Sequence, residues 1–159
     1  MNVLLPRFLA HYGAHICVES RPYPGAIAAL RHFQAQGHRL ALCTNKPAAL
    51  SRRLLTALDL DRMFAAMLGG DSLSVRKPDP RHLLEAIAQA GGDPTRACMI
   101  GDSVIDLEAA RAAGVPIVLV DFGYSQVPVQ TLKADAVISH FDELPAVIAR
   151  LLGAGRAMP

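Results

Sequence analysis

Tryptophan is absent, and three tyrosines and five phenylalanines are the only large aromatic residues in 159. Because 52% of residues are nonetheless hydrophobic, the core has to be assembled from Ala, Leu, Val and Ile. The length is that of one domain with room for a sizeable core. Lysine is scarce: Lys46, Lys77 and Lys133 are the whole complement, and Arg supplies the remaining basic residues. Net charge is only +2 and no block of like charges occurs, which argues against nucleic acid or an anionic membrane as partner. No apolar run reaches the roughly 18 residues that would span a bilayer. Met1 to Ala10 lacks the basic start and cleavage site of a secretory signal. Cysteine is confined to Cys17, Cys43 and Cys98, each in an apolar run without ligand spacing, which is the usage of reduced, buried thiols. These absences predict a soluble, cytoplasmic protein.

What is present is an alternation of short apolar runs and helical stretches. After a polar connector, Pro24 suits the opening turn of a helix over about 25–36, stopped by Gly37. Residues 38–43 read as a buried strand that delivers Thr44 and Asn45 to its tip, and Pro47 starts a helix over roughly 47–58. A short turn at 61–64 and a weak strand over 65–68 end at Gly69-Gly70-Asp71. Asp79 reads as an N-cap with Pro80 at the first helical position, and that helix runs to Gly91-Gly92. A strand over 97–100 is followed by a helix over about 104–113 with Gly114 and Pro116 as its stop. Strands over 117–120 and 136–138 and a helix over 144–152 complete the series. The strands are uniformly apolar and do not alternate, so they should be buried on both faces in a parallel sheet covered by helices. Such sheets bind ligands beyond the carboxyl ends of their strands.

Thr44, Asn45, Asp71, Asp102 and Asp121 all fall at those ends. Asp102, at the mouth of the 97–100 strand, and Asp106, on the first turn of the next helix, suit a hard cation such as Mg²⁺. Asp106 reads equally as the third helical residue of a capping box with Ser103 as N-cap. Thr44 and Asn45 could hold an oxyanion at a helix mouth, or could simply cap the helix that Pro47 opens. Lys77, held before Pro78-Asp79-Pro80 in a chain that otherwise prefers Arg, hints at a site wanting a compact ammonium. The six histidines show no ligand spacing within a site, and no serine has nucleophile-elbow context.

Taken in order, Thr44-Asn45-Lys46-Pro47, Gly70-Asp71-Ser72, Lys77-Pro78-Asp79-Pro80 and Gly101-Asp102-Ser103 through Asp106 resemble the motifs of haloacid dehalogenase-like hydrolases, and more narrowly the phosphoglycolate phosphatase group. Tyr23-Pro24-Gly25, Ala109 to Gly114 and Phe122-Gly123-Tyr124 extend the likeness over about residues 20–145. The resemblance implies a three-layer, Rossmann-like α/β core and Mg²⁺-dependent hydrolysis of a small phosphorylated metabolite, 2-phosphoglycolate to glycolate, through an aspartyl-phosphate. It implies that Thr44 and the Asn45 backbone N–H hold phosphoryl oxygens and that Lys77 offsets charge. Asp102 would bind Mg²⁺ directly and Asp106 through water, with Gly101 and Ser103 in support.

The family places its nucleophile in an Asp-x-Asp-Gly-Thr motif on a first, central strand. Here the first aspartate is Asp59, and Glu19 is the only acidic residue before it. The expectation is therefore a chain that begins inside the family's helical cap: residues 1–20 as cap remnant and return linker, 21–152 as core, 153–159 as a frayed tail. Lacking the nucleophile strand, it should be inactive alone and either marginally stable or self-associating through unpaired strand edges. The alternatives are a non-catalytic module that binds phosphate and Mg²⁺ or a partner, and a receiver-like doubly wound domain whose acidic cluster is missing.

Overall fold

The computed structural model describes residues 21–153. The expected cap remnant, Cys17, His11, His15 and the tail beyond 153 lie outside the described residues. Ten regular elements alternate along the rest: α1 (Ala26–Ala35), β1 (Ala41–Cys43), α2 (Ala48–Ala57), β2 (Ala66–Leu68), α3 (Pro80–Gln89), β3 (Met99–Gly101), α4 (Val104–Ala113), β4 (Ile117–Val120), β5 (Ala136–Ile138) and α5 (Leu144–Gly153). Short 3₁₀ turns fill several connections.

Local chemistry accounts for most of the boundaries. Asp79 accepts the Arg81 N–H at 2.9 Å, so α3 begins with a capped end and Pro80 at a position that needs no donor. Gly114 ends α4 in the left-handed conformation, φ +68, which an L side chain resists. At α1 the expectation is corrected. Gly25, at φ +79, is the N-cap, which leaves Pro24 outside the helix. Pro47 likewise caps α2 from outside.

The strands at 38–43 and 97–100 are also corrected, to Ala41–Cys43 and Met99–Gly101, because pairing decides strand ends and apolarity does not. β1 has a three-residue partner in Ala66–Leu68, and β3 is in register with Met99 opposite Ile117 and Gly101 opposite Leu119.

β4 organises the core. Its alternate residues point to opposite faces, as the strand period requires. Ile117 and Leu119 join Leu83 and Ile87 of α3 and Ala110 of α4 in one cluster. Val118 and Val120 join Ala29 of α1, Ile138, and Leu144 and Ile148 of α5 in the other. A sheet between two helical layers results, as expected of a doubly wound α/β fold.

The sheet is not continuous. β1 and β2 form a two-stranded parallel pair, and β3, β4 and β5 a separate three-stranded parallel sheet. β1 and β3 thus each have a ladder on one side only among the described residues. Burial on both faces holds for β4, whose four residues are all buried, but not for β1 or for Ile100 of β3, which is 40% exposed. The two sheets still share one helical layer, since α3 packs against β1, β2 and α4, and Cys43 of β1 packs against the cluster containing Met99.

Candidate active site

Parallel ladders bring all strand tips to one end, and a chain of hydrogen bonds links three of them. Lys77 Nζ donates to Asp106 Oδ1 at 2.6 Å, with the two side chains only 11% and 8% exposed. Asp106 Oδ2 accepts the Asp102 N–H at 3.0 Å and the Ser103 hydroxyl at 2.9 Å. On the other side, Asn45 Nδ2 donates to Lys77 O at 2.9 Å. The loop after β1, the Lys77 loop and the β3–α4 turn are therefore one connected unit, and Thr44, Asn45, Lys77, Asp102 and Asp106 lie along it.

Half of the expected capping box forms at Asp106, and its carboxylate is turned to Lys77 and the Asp102 N–H and not to the N-cap N–H. Ser103 Oγ accepts the Asp106 N–H at 3.3 Å as N-cap of α4, while the Asp106 carboxylate binds Lys77. Burial by itself would raise the Asp106 carboxyl. The Lys77 charge and the hydrogen bonds from Lys77, Asp102 N–H and Ser103 outweigh it and hold the group below the ordinary carboxylate range. Asp102 is less committed: its hydrogen bond among the described residues is to Oδ2, from Tyr124 N–H at 2.8 Å. Two glycines make this crowding feasible. A Cβ on Gly101 would lie 2.5 Å from Asp106 Cβ, and one on Gly123 would lie 2.3 Å from Asp102 Cβ.

Thr44 Oγ1 accepts the Lys46 N–H at 3.1 Å, which leaves the hydroxyl proton free to donate outward. Asp71 does not join the carboxylates; its Oδ1 accepts Ala48 N–H at 2.7 Å and so caps α2 from outside. Asp121 is likewise engaged, accepting from Ser139 Oγ at 2.5 Å. Asn45 Oδ1 is buried without a hydrogen-bond partner among the described residues.

Sequence reasoning set His82 aside for want of ligand spacing. It is 0% exposed, with Nε2 at 2.9 Å from Gly69 O and Nδ1 at 3.3 Å from Cys43 Sγ. The one available signal was a polar ring at the start of a helix whose neighbours Leu83, Ala86 and Ile87 form its buried face. Tyr23 and Phe122, far apart in sequence, meet edge to face at 5.2 Å beside Asp102's loop. Burial and a hydrogen bond with Tyr124 raise the Tyr23 phenol above its ordinary value.

As a test of fit for a hard divalent cation, Asp102 has a carboxylate oxygen to offer and Asp106 is largely spent on Lys77, Asp102 N–H and Ser103. No group of three or more potential ligand side chains occurs among the described residues. One direct carboxylate with the remaining positions filled by water or substrate oxygen is a donor set that Mg²⁺ accepts and that zinc or calcium would not favour.

Parallel strands between helical layers, with a lysine–carboxylate pair and acidic residues at the strand tips, make a Rossmann-like α/β core with a polar site at one end. The family model described as haloacid dehalogenase-like hydrolase matches residues 4–114, and the chain belongs to that family. It is 52% identical over 149 residues to a phosphoglycolate phosphatase of Mesorhizobium japonicum, a match covering 94% of this chain and 66% of that protein. It is 48% identical over 158 residues to a phosphoglycolate phosphatase of Agrobacterium fabrum, covering 99% of this chain and 68% of that one. Among solved structures, a predicted phosphoglycolate phosphatase from Haemophilus somnus superposes with a TM-score of 0.85 at 34% identity, over 89% of this chain and 64% of that chain. The chain spans about two thirds of the length of the relatives it matches. No helix among the described residues is long and apolar enough to cross a membrane.

Proposed function

We propose that this chain carries the phosphate- and metal-binding half of a Mg²⁺-dependent phosphoglycolate phosphatase that converts 2-phosphoglycolate to glycolate. The observation that carries the reading is the buried Lys77–Asp106 pair at 2.6 Å, tied by hydrogen bonds to Asn45 on one side and Asp102 on the other. The identity of about 50% to two phosphoglycolate phosphatases supports the substrate. The Thr44 hydroxyl and the Asn45 N–H receive the phosphoryl oxygens. Lys77 keeps two protons beyond the one it gives Asp106 and lays them against the negative charge of the phosphoryl group. Asp102 holds Mg²⁺ directly and Asp106 through water, and Gly101 and Ser103 keep the two carboxylates in place. The metal, when bound, neutralises phosphoryl charge and orients the ester.

Hydrolysis through an aspartyl-phosphate needs a carboxylate free to attack the phosphorus. Among the strand-tip aspartates, Asp71 caps α2, Asp106 pairs with Lys77, Asp121 accepts from Ser139, and Asp102 is the one assigned to the cation. The reading puts the attacking carboxylate on a further strand between β1 and β3, where both ladders stop among the described residues and Ile100 stands exposed. Alone, the chain does not turn over substrate, and it self-associates through the same edges. Free Cys43 and Cys98 support a cytoplasmic location.

The test is complementation. The leading segment of the Mesorhizobium relative is joined to the chain, and Mg²⁺-dependent phosphate release from 2-phosphoglycolate is measured. Release should appear on joining and fall severely in Lys77→Ala and Asp102→Asn. Enzyme-like turnover by the unjoined chain would refute the absence of a nucleophile. An Asp102→Asn variant with unchanged Mg²⁺ dependence would refute the ligand assignment. Phosphate binding without turnover after joining would favour a non-catalytic binding module.

A further inference from the structure

We propose that His82 is a positioning residue of the phosphoryl site: one buried imidazole, donating to Gly69 O and accepting from the Cys43 thiol, locks the Thr44–Asn45 loop to the helix that follows Lys77. The inference rests on the phosphatase reading for the purpose of the loop, and on geometry alone for the lock.

The tautomer follows from the partners. A carbonyl oxygen can only accept, so the Nε2 that lies 2.9 Å from Gly69 O carries the proton. In the neutral ring Nδ1 is then an acceptor, and the Cys43 S–H at 3.3 Å is its donor. Burial pushes the Cys43 thiol up in spite of the Lys77 charge nearby, which keeps it protonated for that task. A thiol beside an imidazole that is oriented by a third group also resembles a nucleophile–base dyad. The half-buried, protonated sulfur lacks the thiolate character such chemistry needs. The pair is a clasp.

What the clasp holds is the underside of the cradle. Cys43 immediately precedes Thr44. Gly69 lies against the first residue of α2 so closely that a Cβ there would fall 2.3 Å from Ala48 N, and one on Gly70 would fall 2.3 Å from Asn45 O. Gly70 N–H also donates to Lys46 O at 2.8 Å. Fixing Gly69 O and Cys43 Sγ from α3 therefore fixes the floor beneath residues 44–48. The same helix, capped by Asp79, begins three residues after Lys77. His82 thus sets the distance between the two halves of the anion site without touching the anion.

The experiment uses this chain labelled with ¹⁵N, inorganic phosphate as probe, and variants His82→Leu, His82→Gln, Cys43→Ala and Cys43→Ser. A long-range ¹H–¹⁵N spectrum at pH 8 should show the His82 ring protonated on Nε2. His82→Leu should speed amide hydrogen exchange at Thr44 and Lys46 and weaken phosphate binding about tenfold, the size typical of losing an outer orienting group. His82→Gln, whose Nε2 can still donate to Gly69 O, should restore both. If His82→Leu does not fold, Cys43→Ala should show the same loosening in milder form, with Cys43→Ser, which keeps a donor, close to wild type. An Nδ1-protonated ring, or wild-type exchange at Thr44 and Lys46 in both His82→Leu and Cys43→Ala, overturns the proposal. If phosphate moves no resonance in the wild-type chain, the phosphoryl-site reading fails, while ring tautomer and amide exchange still decide the clasp.

Discussion

β4 and β1 are both short apolar strands in parallel ladders, yet β4 is wholly buried and β1 is not. β4 has a neighbour on each side and a helical layer on each face. Among the described residues β1 has one neighbour, and β3, on the other side of the discontinuity, repeats its condition with Ile100 in the open. The difference teaches that strand burial is a property of the sheet and not of the strand. The candidate site sits at the weakly buried side: Thr44 and Asn45 follow β1, and Asp102 follows β3.

The contrast can be broken most forcefully at the bond that bridges the two sides. Asp106→Ala leaves Lys77 buried without its partner and should cost about 3–5 kcal/mol in urea unfolding, the usual result of removing one member of a buried pair. Removing both charges, as Asp106→Ala with Lys77→Met, should cost less than the single change. A double variant as unstable as the single would deny that the charges are coupled.

Next in size is the comparison of strand interiors. Leu119→Ala in β4 removes a fully buried side chain and should cost about 2–5 kcal/mol. Ile100→Ala in β3 removes one that is 40% exposed and should cost clearly less, measured in the same denaturant series. Equal losses would mean that self-association at the β3 edge buries the Ile100 side chain as well, and sedimentation of Ile100→Ala would then show a weakened dimer.

Acid sharpens the comparison further. The Asp106 carboxyl in the fold is held below its value in the unfolded chain, so its contribution is fully present above the unfolded value, near pH 4. That contribution is lost as pH falls through the lower, folded value. Unfolding free energy followed from pH 6 to pH 2 should therefore drop less steeply in Asp106→Asn than in wild type. Parallel acid limbs would remove the ion pair from the stability account.

The smallest effect belongs to an exposed pair. Arg111 donates to Asp135 at 2.9 Å beside β4, and both side chains are open to solvent. Arg111→Ala should cost under about 1 kcal/mol, and the cost should shrink in high salt. A larger, salt-insensitive loss would show that the Arg111 contact with Lys133 O matters more than the charge.

Much of this architecture is legible in the chain itself. The α4 boundaries at Val104 and Ala113 follow from Ser103 and Gly114, and the start of α3 follows from Asp79 and Pro80, because caps and stops act over a few residues. β4 and β5 stand as the apolar runs place them. The β1 and β3 ends are not legible, since they depend on which residues find a ladder partner. Asp71 and Asp106 show the same boundary at the site. Both follow a strand tip, and only contacts made by residues distant in sequence separate a helix cap on Ala48 from a partner of Lys77.

The sequence by itself determined the order of elements, the capped ends of α3 and α4 and the set of polar residues at the strand tips, because these depend on short-range conformational preference and on where apolar residues cluster. Only the tertiary structure decided that the sheet divides between β1 and β3, that Asp106 spends itself on Lys77, and that His82 is buried against Cys43 and Gly69. Those outcomes depend on which distant groups meet in a water-poor interior, where each polar atom must find a partner. Local sequence does not encode that meeting.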